Sequence, residues 1–301
     1  MCIRDRGAYY PTKHFEHVID SLVEVIQENG GTIHFNHQVN QFLVKDKQVY
    51  GVQGENLLTE EDFELTGTTV ICNMDPKKAA QIIGWDKFST SLQKKLDYEY
   101  SPSNYMAYVV VKDLDLKKYG FGKWNTFHSG HKDLNKAFYQ IYNDHDYSNP
   151  SFAFTTPSQL TSHRGDCPEG WQIVEFLTVA NYDYWKELKN RDEKAYKKEK
   201  MNILWSIVDQ VQQHYIPDFR EHMVFKMTGS PTTNERYCWC PEGNSYGSNM
   251  SPKNIGIGRL NHETSLKNFY FCNASSGFAG FAGTFWTGAA LYQRLTGDKI
   301  L

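Results

Sequence analysis

Apolar residues Phe15, Val18, Ile19, Leu22, Val23 and Ile26 recur every three to four positions, which predicts a helix over 12–29 with one apolar face. Gly30-Gly31 ends it by supplying a left-handed cap. Short strands follow over 32–35, 38–45 and 48–53, the last two joined by a turn at Asp46-Lys47. After a polar loop over 53–61 comes a strand region over 63–73. Pro76 then opens a helix that runs to Ile83. From Trp85 the pattern changes. The stretch 92–98 is helical, and the alternation of Tyr105, Ala107, Val109 and Val111 predicts an antiparallel-type strand over 104–112. Strands are predicted at 124–128, 136–142, 151–155 and 171–179. A long helix spans 182–215, with Met201, Leu204, Trp205, Val208, Val211 and Tyr215 on one stripe and Pro217 just beyond. A short strand at 224–227 leads into a turn-rich loop over 229–247.

The stretch 267–295 organises the rest. Asn268 to Ser276 reads as a buried strand entering a loop, and Gly277, Gly280 and Gly283 punctuate a turn. Phe285, Trp286, Ala289, Ala290, Tyr292 and Leu295 give helical spacing from Thr284 onward. A strand, a glycine-rich turn and a helix start aim free backbone N–H groups and the positive end of the helix dipole at one point, where an electron-rich group is expected. An ordinary strand-to-helix connection has the same pattern.

With 301 residues, 40% of them hydrophobic, the chain can build real cores, and a net charge of -3 gives no basic footprint for nucleic acid. The run Lys194 to Lys200 is a solvated helix face. Apolar stretches such as 107–111 fall far short of the roughly 20 residues of a membrane span. An aromatic share of 15% suits a large apolar pocket or an aromatic core. The six cysteines, at 2, 72, 167, 238, 240 and 272, form no paired framework, which favours a reducing, cytoplasmic setting. Cys238-Trp239-Cys240 and the pairs His14/His17, His34/His37 and His128/His131 lack the further ligands of a metal site, so no metal is expected. Met1 to Arg6 resembles a translated adapter fused to an open reading frame. The natural protein is then expected to begin upstream, with Gly7 the first native residue here.

Several segments together resemble the phytoene desaturases, carotenoid isomerases and retinol saturases. Residues 7–39 match their tyrosine-proline turn, helix, glycine pair and strand ending in asparagine and valine. Asn73-Met74-Asp75-Pro76 matches their Asn-x-Asp-Pro. The segment 230–237 with Tyr246-Gly247 matches their Thr-Pro stretch and Tyr-Gly turn, and 269–288 is similar to their C-terminal flavin motif. The resemblance implies FAD held by an α/β fold, Rossmann-like and here incomplete, with an inserted α+β substrate domain. The expected divisions are 7–84 and 221–301 for the FAD-binding domain and 85–220 for the substrate domain. Hydride would be exchanged with a carbon-carbon bond of an apolar polyene or related lipid, with peripheral membrane association. By the same resemblance Val39 meets the adenine through its backbone, Asn273, Ala274 and Ser275 lie along the ribityl and pyrophosphate, and Gly280, Phe281, Ala282, Gly283 and Thr284 face the flavin ring. Arg236 and Tyr246 are the polar residues nominated to line the reaction site. A flavin amine oxidase and a non-catalytic lipid-binding protein on the same fold are the alternatives.

The sequence departs from the family in three places. Asn273 stands where the family usually has glycine, a change expected to narrow the cofactor space. The turn Phe278-Ala279-Gly280-Phe281-Ala282-Gly283 replaces a stretch rich in proline and glycine. No Gly-x-Gly-x-x-Gly occurs in the 301 residues, so the expectation is a fragment without the phosphate-seating half and without stoichiometric FAD.

Overall fold

The computed structural model describes residues 10–122, 124–161 and 167–300. The readings of Met1 to Arg6, Cys2 and Gly7 lie outside the described residues. In chain order the strands are β1 (His37–Lys45), β2 (Gln48–Asn56), β3 (Asp62–Thr66), β4 (Val70–Cys72), β5 (Ser103–Lys112), β6 (Thr126–His128), β7 (Phe152–Thr155), β8 (Trp171–Ala180), β9 (Met223–Gly229) and β10 (Phe269–Phe271). The helices are α1 (Phe15–Glu28), α2 (Pro76–Ile83), α3 (Thr90–Leu96), α4 (Leu134–Tyr142), α5 (Pro157–Leu160), α6 (Tyr182–Arg191), α7 (Glu193–His214), α8 (Pro231–Cys238) and α9 (Phe281–Thr296). The fold is mixed α and β.

Two compact units divide the chain. One takes Ser103–Gly243 with the chain up to Ile33, the other His34–Pro102 with the chain from Asn244. The chain therefore changes unit near 33, 102 and 243, whereas the sequence reading placed its breaks near 84 and 220.

The first unit is built on an antiparallel five-stranded sheet in the order β6-β7-β8-β5-β9. Tyr105, Ala107, Val109 and Val111 of β5 are fully buried, sharing one core with Trp185, Leu204, Ile207, Val208 and Val211. Side chains of this size each stabilise the fold by roughly 1.5–3 kcal/mol when fully buried. The alternation that buries these residues turns Met106, Tyr108 and Val110 to the other face. There they are joined across the strands by Leu177, Phe225 and Met227, all three exposed, and the result is an open apolar surface. α1 carries the predicted amphipathic stripe, yet buries none of it.

The second unit holds an antiparallel sheet, β1-β2-β3, and a parallel pair, β4-β10, in which Val70, Ile71 and Cys72 face Phe269, Tyr270 and Phe271. Phe42, Val49, Phe88, Leu96, Phe269 and Phe271 lie in its core. The backbone groups of residues 262–263 partly cover β10, through Phe271 N–H to His262 O at 2.9 Å and a bridge between Glu263 and Tyr270. β4 has no second strand partner among the described residues, and Ile71 on it is exposed.

Several local expectations are corrected. Residues 136–142 form a helix, because Asp133 accepts from the N–H groups of Asn135 and Lys136 and so starts α4. The long helix is interrupted at Asp192, which is extended and caps α7 by accepting from Lys194 and Ala195. Residues 231–238 are helical as well: Pro231 occupies the first turn and Ser230 forms a reciprocal capping box with Thr233. The strand predicted over 32–35 does not form, and 63–73 divides between two sheets.

Candidate functional site

In the second unit, the loops after β4 and β10 meet through side chains that both segments supply. After β4, the Asp75 carboxylate accepts from the N–H groups of Lys77 and Lys78 at 3.1 Å and so caps α2. It also accepts from the hydroxyls of Tyr100 at 2.8 Å and Tyr98 at 3.3 Å. The Lys77 ammonium donates to Tyr98 O and lies 4.5 and 4.7 Å from the ring centroids of Tyr98 and Tyr100. The Asn-x-Asp-Pro segment thus acts as a helix cap with an aromatic collar. Burial, followed by the Asp75 charge, raises the Tyr98 hydroxyl well above the usual tyrosine range. Burial pushes the Cys72 thiol up to about 12, which leaves it without nucleophilic character at neutral pH.

After β10, Asn273 is buried, and its amide donates to Met74 O at 3.1 Å. Its side-chain oxygen accepts from the N–H groups of Ser275 and Ser276. The side chain that stands where the family usually has glycine is spent on this turn and on the tie to the β4 loop. Gly247, with φ +73, packs against the same turn. A Cβ there would lie 2.4 Å from Ser275 Oγ, and Ser275 Oγ in turn accepts from Ser248 N–H at 3.0 Å. The Tyr246-Gly247 turn and the C-terminal motif, distant in sequence, are adjacent in space. Ala274 lies in the same turn, and the Tyr246 side chain is exposed.

α9 begins three residues earlier than expected. Gly280 is its N-cap at φ +82, with no side-chain cap, and a Cβ there would meet nothing within 4 Å. The N-cap itself supplies no side chain to the first turn of α9, which faces solvent. The Thr284 hydroxyl donates to Phe281 O at 2.9 Å, so it does not cap the helix. Gly283, read as part of the turn, lies inside α9. It has ordinary helical φ, and the space of its missing Cβ is taken by Phe278, with Cβ at 2.9 Å and backbone C at 3.0 Å, so glycine there serves packing. Thr287 completes the joint: its hydroxyl donates to Gly283 O at 2.8 Å and accepts from Phe278 N–H at 2.9 Å.

Arg259 was missed by the sequence reading. Its guanidinium donates to Gly277 O and Ala274 O at 2.5 Å and to Ser248 Oγ at 3.3 Å, and burial lowers its affinity for the proton. One planar fork therefore fixes both ends of the loop. A single arginine in a glycine-rich segment carries no periodic signal. Two nominated residues take part in none of these contacts. Val39 lies in β1 opposite Gly54, beside a bulge. Arg236 lies on α8 in the other unit, with its guanidinium 5.2 Å from the Tyr237 ring centroid.

No protein-family model matches the chain. It is 24% identical over 302 residues to the all-trans-retinol 13,14-reductase of Danio rerio, an alignment that covers 94% of this chain and 48% of that protein. It is 22% identical to the chloroplastic prolycopene isomerase of Daucus carota, with coverage of 93% and 42%. To the 4,4'-diaponeurosporene oxygenase of a Staphylococcus aureus strain it is 20% identical, with coverage of 90% and 51%. The chain thus spans about half the length of the relatives it matches. Among solved structures, a putrescine oxidase bound to putrescine matches with a TM-score of 0.60 at 11% identity, over 95% of this chain and 53% of that one. An oxidoreductase from Methanosarcina mazei matches with a TM-score of 0.54 at 12% identity, over 92% and 54%. The chain has the fold of these oxidoreductases, and in sequence it is similar, along nearly its whole length, to enzymes named for retinoid and carotenoid conversion.

Proposed function

We propose that the chain is part of an FAD-dependent oxidoreductase that exchanges hydride with a carbon-carbon bond of an isoprenoid polyene. One observation carries this reading: nine-tenths or more of the chain aligns with each of three enzymes whose names share an isoprenoid polyene and otherwise differ in reaction. The putrescine oxidase shares the fold alone.

The residues of the second unit fit the flavin. When bound, FAD supplies the hydride acceptor or donor. The start of α9 holds its electron-rich part with the positive end of the helix dipole, and Gly280 leaves the approach open. Asn273, Ala274 and Ser275 present a rigid backbone along the ribityl and pyrophosphate, kept in place by Arg259. Val39 serves the adenine through its backbone, Thr284 lies in the first turn beside the ring, and Tyr246 is the polar group of the reaction site in this unit. The open apolar face of β8, β5 and β9 in the first unit serves as a wall for the polyene and excludes water. Among the described residues no helix is long and apolar enough to cross a membrane, and substrate is taken up from a membrane surface by peripheral association.

The test supplies the whole enzyme of which this chain is part with excess FAD and follows the absorption of retinoid and carotenoid substrates under anaerobic conditions. Change in the polyene spectrum is the expected result. Peroxide release with soluble amines, and no change in any polyene, would move the assignment to an amine oxidase.

A further inference from the structure

In the first unit α8 ends at Cys238, and the next residue, Trp239, is its C-cap in the left-handed conformation, with φ 56 and ψ 22. Glycine is the usual occupant of such a position, and a bulky side chain there is an outlier. Cys240 follows. A left-handed residue is the mirror image of a helical one, so it folds the chain and brings the Cα atoms on either side of it to about 5.4 Å, from a helix radius of about 2.3 Å and a rise of about 1.5 Å per residue. Disulfides span Cα separations of roughly 4.4–6.8 Å and favour about 5.5–6 Å. An extended residue would hold the two cysteines about 6.7 Å apart, at the limit of that range. Trp239 therefore sets them at bridging distance.

The frame around the pair is fixed. Cys240 O accepts from Gly243 N–H at 2.9 Å, and Gly243, at φ +56, packs so closely on the start of α8 that a Cβ there would collide with Pro231 O. The Ser103 hydroxyl donates to Gly243 O as well. The Cys240 thiol turns back and donates to Cys238 O at 3.6 Å. Cys238 is exposed, Cys240 is half-buried, and neither is joined in a disulfide. Cys238 also stands beside the open sheet face: the hydroxyl of Tyr108 on β5 is held above the ordinary tyrosine range by burial, by the Glu175 carboxyl on β8 and by the Cys238 thiol.

We infer that Cys238 and Cys240 form a reversible dithiol–disulfide site whose substrate is a low-molecular-weight disulfide. The exposed Cys238, as its thiolate, attacks one sulfur of that disulfide; the S–S bond breaks, a mixed disulfide forms and the first small thiolate leaves. Cys240, as its thiolate, attacks the Cys238 sulfur, forms the internal bond and displaces the second small thiolate. Two protein thiols are oxidised, one small disulfide is reduced to two thiols, and the protons lost by the cysteines end on the departing sulfurs. A single residue lies between the joined cysteines, so the loop-closure gain that makes a structural disulfide durable is small, and the bond opens again in excess thiol. Oxidation stiffens the turn that ends α8, beside the open sheet face.

Oxidised glutathione applied to the whole chain is the probe, read by intact mass and by the tryptic peptide 237–253, which holds both cysteines. The expected product has lost two hydrogens, carries its new bond within that peptide and returns to the dithiol in dithiothreitol, while the buried Cys72 and Cys167 keep their thiols. Cys240→Ser should stop at a glutathione adduct on Cys238. Trp239→Gly should close the ring as fast as the parent, whereas Trp239→Val, whose branched side chain opposes a positive φ, should close it about tenfold more slowly. Iodoacetamide labelling of Cys238 and Cys240 after the oxidation, a parent that stops at the adduct, a bond from Cys238 to any other cysteine, or equal closure rates in Trp239→Val and Trp239→Gly overturns the inference. Circular dichroism establishes that each variant compared is folded.

Discussion

The Asn273 side-chain amide donates to the main-chain oxygen of Met74 at 3.1 Å, joining the loops that follow the two parallel strands β4 and β10. A residue that departs from the resembling family is thereby the cross-brace of the candidate site.

Replacing Asn273 by alanine removes this bond and the two that it accepts from Ser275 and Ser276, and leaves buried backbone groups unpaired. The expected cost is about 2–4 kcal/mol. Asn273→Gly, although it restores the family's usual residue, should cost as much, since glycine supplies none of the three bonds. Urea midpoints measure both, and unchanged midpoints would refute the brace.

Arg259→Lys should be nearly as damaging as Arg259→Ala. A single ammonium cannot reproduce a fork that spans Gly277 O, Ala274 O and Ser248 Oγ. Loss of the charged hydrogen bonds costs about 1.5–3 kcal/mol, and limited proteolysis should open first within 274–280. A lysine variant as resistant as the parent protein would show that the fork is dispensable.

The two glycines at the start of α9 should separate stability from cofactor affinity. Gly283→Val forces a side chain onto Phe278 and should destabilise the chain by about 1–3 kcal/mol through overpacking. Gly280→Val meets no atom within 4 Å but takes φ +82, so its strain is local, and its bulk stands before the start of α9. FAD affinity in the folded fraction should fall for Gly280→Val and hold for Gly283→Val. The reverse order in a flavin titration would remove the helix start from the site.

Glu175 sets a pH dependence. Desolvation raises its folded proton affinity above the unfolded value, so the protonated carboxyl favours folding, and that contribution is lost as pH rises through the folded pKa. Tyr108 faces it from β5 and, titrating far higher, adds nothing below pH 8. Glu175→Gln should therefore raise the melting temperature at pH 7.5 and leave it nearly unchanged at pH 4. Equal shifts at both values would contradict the linkage.

Much of this fold was legible where caps and periodicity agreed. Asp75-Pro76 predicted α2 with its observed bounds, and the period-two pattern of Tyr105 to Val111 predicted β5 and its buried face. The misses have physical causes. Ala137, Tyr139 and Ile141 alternate like a strand, but Asp133 was there to start a helix, and local capping decided the outcome. In 182–215 the apolar stripe, Met201 to Tyr215, lies wholly beyond Asp192, so it carried no sign of the break at Asp192, whose side chain caps the helix that follows. Of the candidate site, the glycine-rich strand-to-helix turn was readable. The part held by Arg259 was not, because three acceptors separated in sequence define its role and no spacing encodes them. The packing need for glycine at 283 was not legible, because the atoms that exclude a side chain there belong to Phe278, five residues earlier.

β4 is three residues long, borders one parallel partner and exposes Ile71. Its outer row of main-chain donors and acceptors is a template for another strand, and its sequence, Val-Ile-Cys, carries no charge or proline to discourage pairing. Concentrated solutions of the chain should accordingly form edge-to-edge oligomers faster as protein concentration rises, and Ile71→Lys should slow that assembly without changing the melting temperature of dilute samples. The strand that anchors the candidate site is thus also the surface that sets the chain's colloidal behaviour.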